Sequence, residues 1–260
     1  MTPPILGDLF PQAPSALPQR VLVAVAHGSA DPRASATIAD LAVVARERWP
    51  GLDLRAAFLG HAPPSLPQVL STIEADREVT VLPLLLTAAY HSKADIPRML
   101  ARLPRSRVSY GATLGPHPLL LQALDRRLAE ADPGAHENPA RTAVVLAAAG
   151  SSDHGANATI ARLAAQWQAR TGWSAVRPAY ASAAEPSPAA AVTDLLRAGA
   201  PRVVVATYLL APGLFADRIR QSTLAAGAAA VAPALGACVE VADVVLDRFA
   251  EAVSRRRTAA

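Results

Sequence analysis

Short apolar runs alternate with longer amphipathic stretches along the chain. Val21 to Ala26, Leu52 to Leu59, Val79 to Leu86 and Arg107 to Tyr110 are short, rich in aliphatic residues and bounded by turn formers, which predicts strands. Between them, Ala34 to Arg48, Ser65 to Asp76, Ala94 to Leu103 and Pro118 to Glu130 carry apolar residues at helical spacing. The same alternation returns later, with strands predicted near Ala143 to Ala148, Ala175 to Tyr180, Arg202 to Thr207 and Ala229 to Val231. A run such as Val81-Leu82-Pro83-Leu84-Leu85-Leu86 is apolar on both faces, which suits a parallel sheet covered by helices on each side.

The recurrence is a duplication. Shifting the chain by 122 residues lays Gly28, Ser29 and Asp31 on Gly150, Ser151 and Asp153, and Ala36-Thr37-Ile38-Ala39 on Ala158-Thr159-Ile160-Ala161. Pro64-Ser65 falls on Pro186-Ser187, Val81 on Val203, Ala89 on Ala211 and Asp95 on Asp217. The expected fold is therefore α/β, with two tandem domains, each a mostly parallel four-stranded sheet flanked by helices. The expected division is a leader at 1–19, a first half at 20–131, a linker at 132–141, a second half at 142–254 and a basic tail at 255–260.

Composition narrows the chemistry. Hydrophobic residues make up 52% of the chain and charged residues 18%, enough for packed cores without staples. Part of the net charge of +4 sits in Arg255, Arg256 and Arg257, and the three tryptophans lie within helical or strand patterns, so nucleic acid is not an expected partner. A single cysteine, Cys238, rules out an internal disulfide and any CxxC metal site, leaving nitrogen and oxygen as metal ligands. The Pro-rich opening lacks the early basic segment and apolar core of a signal peptide, and no later run is long enough for a membrane span. A cytoplasmic protein is expected.

Ligands of open parallel sheets collect beyond the carboxyl ends of the strands. His27, in Ala26-His27-Gly28-Ser29, follows the first strand directly, and His91 follows the third through Leu86-Thr87-Ala88-Ala89-Tyr90. The repeat puts Ala149 and Gly213 at the matching places, so one half carries the imidazoles and the other does not. His61, after the second strand, also faces this edge. His117 precedes the last helix of the first half, His136 lies in the linker and is expected in solvent, and His154 is expected near a helix cap. The exposed serines lack the G-x-S-x-G elbow, and there is no GxGxxG or P-loop, so hydrolase and nucleotide chemistry lose their usual frames. Ser29 is left as a hydrogen-bond donor or cap.

With these pieces in place the chain resembles the sirohydrochlorin chelatases, the class II tetrapyrrole chelatases, in their long fused two-domain form. The resemblance rests on Ala26-His27-Gly28-Ser29, Ala57-Phe58-Leu59 with Pro64-Ser65-Leu66, and Pro83-Leu84-Leu85-Leu86 leading to His91 with Asp95-Ile96-Pro97. It implies two halves facing each other across a cleft for the tetrapyrrole, His27 and His91 as metal-handling residues, and Leu86, Thr87, Ala88, Ala89 and Tyr90 lining the macrocycle. It implies Fe²⁺ or Co²⁺ as a substrate metal, with no permanently bound cofactor. Ferrous insertion into sirohydrochlorin, giving sirohaem, is the leading expectation. Cobalt insertion for cobalamin synthesis is the alternative, and a non-catalytic tetrapyrrole or metal carrier stands behind both. Arg33 and Lys93 are expected cations for the substrate carboxylates, Ser29 and His61 expected contacts. Many members carry Phe-Leu-Glu where this chain has Phe58-Leu59-Gly60-His61, which raises His61 as a substitute for the carboxylate. Fusion of the halves removes the need for a partner chain, so a monomer is expected.

Overall fold

The computed structural model describes residues 20–88, 95–101 and 108–259. The first half runs β1 (Arg20–Ala26), α1 (Pro32–Arg48), β2 (Asp53–Phe58), α2 (Leu66–Ser71), β3 (Glu78–Pro83), α3 (Ile96–Leu100), β4 (Val108–Tyr110) and α4 (Pro118–Ala131). Two 3₁₀ turns, Pro133–Glu137 and Pro139–Arg141, lead into the second half. There follow β5 (Thr142–Ala148), α5 (His154–Thr171), β6 (Ala175–Tyr180), α6 (Pro188–Arg197), β7 (Arg202–Tyr208), α7 (Leu214–Ala225), β8 (Ala230–Val231) and α8 (Val239–Ala259). Both sheets are wholly parallel, ordered β2-β1-β3-β4 and β6-β5-β7-β8. This is the expected α/β architecture.

Period-two alternation assigns each strand two faces. On β1, Val21, Val23 and Val25 join an outer core with Leu66, Val69 and Ile96, while Leu22, Ala24 and Ala26 point inward. On β5, Ala143, Val145 and Ala147 face outward and Val144, Leu146 and Ala148 inward. The two inward faces belong to one continuous core that includes Leu124, Trp167, Val245 and Phe249.

That shared core depends on a crossover of the last helices. α8, which ends the second half, packs against α1, β3 and β4 of the first, and α4 packs in turn against β7 and β8. Phe249 meets Trp49 edge-to-face at 5.9 Å, Arg48 pairs with Asp243 at 2.8 Å, and Arg248 donates to the Leu114 and Pro116 carbonyls. In the reciprocal direction Trp167 donates to Asp125 at 2.9 Å and Arg127 to the Leu235 carbonyl at 2.8 Å.

Several boundaries differ from the sequence reading. The third strand stops at Pro83, where its ladder with β1 ends opposite Val25, two residues after the ladder with β4 has ended, and residues 84–86 continue past the sheet to line a cavity. α2 ends at Ser71: Ser71 and Thr72 hydroxyls fold back onto the Gln68 and Val69 carbonyls, and Arg55 takes the Thr72 carbonyl. At the C-terminus, α8 continues through Ala259 and Arg256 donates to the Ser109 hydroxyl at 3.4 Å, so the basic segment continues a packed helix.

Phe249 is 1% exposed within the shared core, so Phe249→Ala should cost about 3–5 kcal/mol. Urea unfolding followed separately by first-half and second-half probes should show both halves losing that stability in one transition.

Candidate active site

In each sheet the chain turns left from the first strand to the second and right to the third, so the switch point lies beside β1 and β3 and, in the other half, beside β5 and β7. The carboxyl ends of these strands converge on one cavity of about 620 Å³. The first half contributes His27, Gly28, Ser29, His61, Leu84, Leu85, Leu86 and Thr87, and the second contributes Ala149, Gly150, Ser151, Asn157, Tyr208 and the stretch from Leu209 to Ala216. The walls are mostly apolar, with a few polar groups near the strand ends.

His27 leaves β1 as the first exposed residue after six buried ones. Its carbonyl accepts from the Gly60 N–H at 3.2 Å, which fixes the loop carrying His61 beside it. Gly28 has φ +88°, and a Cβ there would lie 1.7 Å from the Gly60 carbonyl oxygen; only glycine lets these two loops touch. Gly150 repeats the arrangement against the Ser182 carbonyl at 2.0 Å. His61 itself has φ +62°, a left-handed conformation uncommon outside glycine. Its counterpart Ala183 has φ +59°, so this turn belongs to the duplicated scaffold, and the imidazole is what the first half adds to it.

The serine loops act as caps. Ser29 Oγ accepts from the Asp31 N–H at 3.1 Å and Ser151 Oγ from the Asp153 N–H at 3.0 Å; Asp31 and Asp153 then cap α1 and α5. The Ser29 hydroxyl hydrogen remains available to a ligand in the cavity it lines.

Two residues that sequence reasoning passed over shape the same cavity. Tyr208, 2% exposed at the end of β7, donates its hydroxyl to the Leu86 carbonyl at 3.3 Å. The bond joins one half to the other exactly one repeat apart, and burial raises the phenol's pKa so that it stays a donor. Asn157 accepts from the Ser151 N–H at 3.1 Å and donates to the Ser151 carbonyl at 2.7 Å, bracing the second serine loop. A tyrosine closing an otherwise aliphatic strand and an asparagine inside a helix were the available signals.

The other candidates sit as follows. Arg33 is committed within the protein: its guanidinium binds Asp31 at 2.6 Å and reaches Asp217 of α7 at 2.5 Å. Asp31 and Asp217 raise the Arg33 pKa, and Arg33 lowers that of Asp31. His136 is exposed in the linker, as expected, with its ring edge-on to Trp173 at 4.9 Å and 3.8 Å from Asp125. His117 caps α4, accepting from the Leu119 N–H at 3.3 Å, and lies 3.6 Å from Asp247; burial pushes its pKa down. His154 opens α5, next to its cap. Ala88 is exposed and stands outside the cavity lining. Ala89, Tyr90, His91 and Lys93 lie outside the described residues.

A two-walled cavity at the carboxyl edges of paired parallel sheets defines a class of ligand-binding α/β protein, and comparison with known proteins makes it specific. The CbiX family model matches residues 21–131 and again 143–252. The chain therefore belongs to the CbiX family, with two copies of its domain. Sirohydrochlorin cobaltochelatase of Priestia megaterium is 27% identical over 204 residues, covering 76% of this chain and 66% of the relative. Sirohydrochlorin ferrochelatase of Bacillus subtilis (strain 168) is 30% identical over 147 residues, 55% of each chain. The chain thus spans under two thirds of the length of these curated relatives. The solved structure of SirB from Bacillus subtilis with Fe³⁺ superposes with a TM-score of 0.79 at 22% identity, covering 92% of this chain and 97% of that one, a likeness of fold. Among the described residues no helix is long and apolar enough to cross a membrane.

Gly172 also has positive φ, +75°, but a Cβ there would meet nothing within 4 Å. Gly172→Ala should therefore cost only the conformational term, about 1–2 kcal/mol. Gly28→Ala adds a backbone collision and should cost more than that, as read by urea denaturation of the two variants.

Proposed function

We propose that this chain inserts a divalent metal ion, Fe²⁺ before Co²⁺, into sirohydrochlorin to give sirohaem. The observation that carries this reading is the asymmetry of the duplicated loops: His27 and His61 line the cavity from the first half, and the related positions of the second half are Ala149, which lines it opposite, and Ala183. Family membership and the named activities of the relatives support it. On this reading 20–131 is the metal-handling half, 142–254 the opposing wall, 132–141 the connector, and 1–19 and 255–260 lie outside the chemistry.

Insertion exchanges two pyrrole N–H protons for one metal ion, so the site must hold M²⁺ loosely and accept two protons. A neutral imidazole does both, as a borderline ligand for Fe²⁺ and Co²⁺ and as a base near neutral pH. His27 is assigned the metal and the first proton, with His91 sharing the metal. His61, fixed beside His27 through Gly60, is assigned the second proton in the place of the carboxylate found in similar chains. Ser29, Leu86, Thr87, Ala89 and Tyr90 are assigned to the tetrapyrrole, and Ala88, outside the cavity lining, is not. Both walls of the cavity come from a single chain, which supports a monomer; the reading places it in the cytoplasm, without a nucleic-acid or membrane partner. The metal is a substrate, and no permanent cofactor is part of this reading.

The cobalt reading has its own support in the relative named as a cobaltochelatase. Anaerobic turnover with Fe²⁺ and with Co²⁺ separates the two.

With sirohydrochlorin and Fe²⁺, the wild-type protein should deplete the free-macrocycle absorbance, and His27→Ala should abolish the reaction. Wild-type rates in a His27→Ala, His91→Ala double variant would refute the mechanism. His61→Ala should lower kcat on the order of 10²-fold, as loss of a general base does, and His61→Glu should recover most of it.

A further inference from the structure

Five large apolar side chains stand exposed among the described residues: Val43, Met99, Leu214, Phe215 and Leu224. Of these, Leu214 and Phe215 also line the cavity. They form the first turn of α7, immediately after the loop that leaves β7, and they are 69% and 39% exposed. α7 is anchored to the second half by its other side, where Ile219 enters the outer core. Holding the helix does not require an apolar first turn.

The duplication sharpens the point. The positions related by the 122-residue repeat to Leu214 and Phe215 are Ser92 and Lys93, so the apolar pair has no counterpart in the sequence of the first half. The apolar pair is a property of the second half alone, as the histidines are of the first. Chain continuity and one ion pair hold it on the cavity wall. Gly213 and Leu214 continue directly from Leu210, Ala211 and Pro212 along the wall, and Asp217, one turn further on, accepts from Arg33 at the start of α1 at 2.5 and 3.2 Å. The turn is thereby tied to the half that carries the histidines, and lines the same cavity as His27 and His61.

We propose that Leu214 and Phe215 form a platform for the flat face of the macrocycle, and so make the cleft selective for a planar conjugated ring. This rests on the insertion reading above. Water leaves an exposed Leu-Phe pair favourably only when an apolar surface covers it. A metal ion or a small anion offers no such surface, whereas a tetrapyrrole presents a broad conjugated face to stack on Phe215 and a rim of carboxylates turned elsewhere. The second half then supplies the surface against which the ring is held while the first half delivers the metal.

The test separates ring binding from metal insertion by titrating sirohydrochlorin into the protein without metal. Against wild type, a Leu214→Ala, Phe215→Ala double variant should bind at least about tenfold more weakly, a loss that reappears in KM and not in kcat. Co²⁺ binding by the protein alone should stay unchanged, Phe215→Trp should restore ring binding, and Leu224→Ala, exposed on the same helix but away from this cavity, should match wild type. Wild-type affinity in the double variant would overturn the proposal. So would a wild-type dimer in sedimentation that the double variant dissolves, since the pair would then serve a contact with a second copy. A wild-type protein that binds the ring through this pair but turns over neither Fe²⁺ nor Co²⁺ would sink the insertion reading and leave the platform standing.

Discussion

A parallel sheet must be covered on both faces, and the rest of this molecule depends on how the two inner faces are covered. Each half closes its outer face with its own short helices, but neither can close its inner face alone. α4 and α8 cross to the opposite halves, and one core runs from Leu22 and Ala24 on β1 through Phe249 to Val144 and Leu146 on β5. The polar contacts at this junction, from Trp167 to Asp125 and from Arg248 to two first-half carbonyls, orient the crossing helices, while the buried apolar side chains supply most of its stability. With the halves locked in this way, the carboxyl edges of the two sheets meet and the cavity exists.

Duplication then allows the walls to diverge. The backbone turns are kept: Gly28 and Gly150 both back against a carbonyl, His61 and Ala183 share one left-handed conformation, and Ser29 and Ser151 fold onto the caps of α1 and α5. What changes is carried by side chains that the scaffold tolerates freely. Imidazoles stand on one wall, and Leu214 and Phe215 stand on the other. A conserved backbone with interchangeable side chains is the physical means by which one half can specialise in metal and proton chemistry and the other in holding a ring.

Residue periodicity made the elements legible, because β1 and β5 bury residues on both faces and α1 and α5 start at aspartate caps. The candidate site was legible where a residue lies just past a strand end, as His27 does immediately and His61 after two further residues. It was illegible where a side chain acts at long range. Nothing local marks Arg33 as the partner of Asp217, far along the chain, or Tyr208 as the donor to Leu86. The third strand was read as too long for a similar reason: Leu84 to Leu86 are apolar enough for a sheet, but the strand that would pair with them ends first.

By itself the sequence determined the parallel α/β class, the duplication, the strand-end histidines and their absence from the second half, since these depend on local spacing and on comparison of the chain with itself. Only the tertiary structure decided that the last helices exchange partners, that both strand-end edges share one cavity, and that Arg33 pairs with Asp217 of the other half. Those features arise from contacts between residues more than a hundred positions apart, and the pattern of any one segment carries no information about which distant segment will cover it.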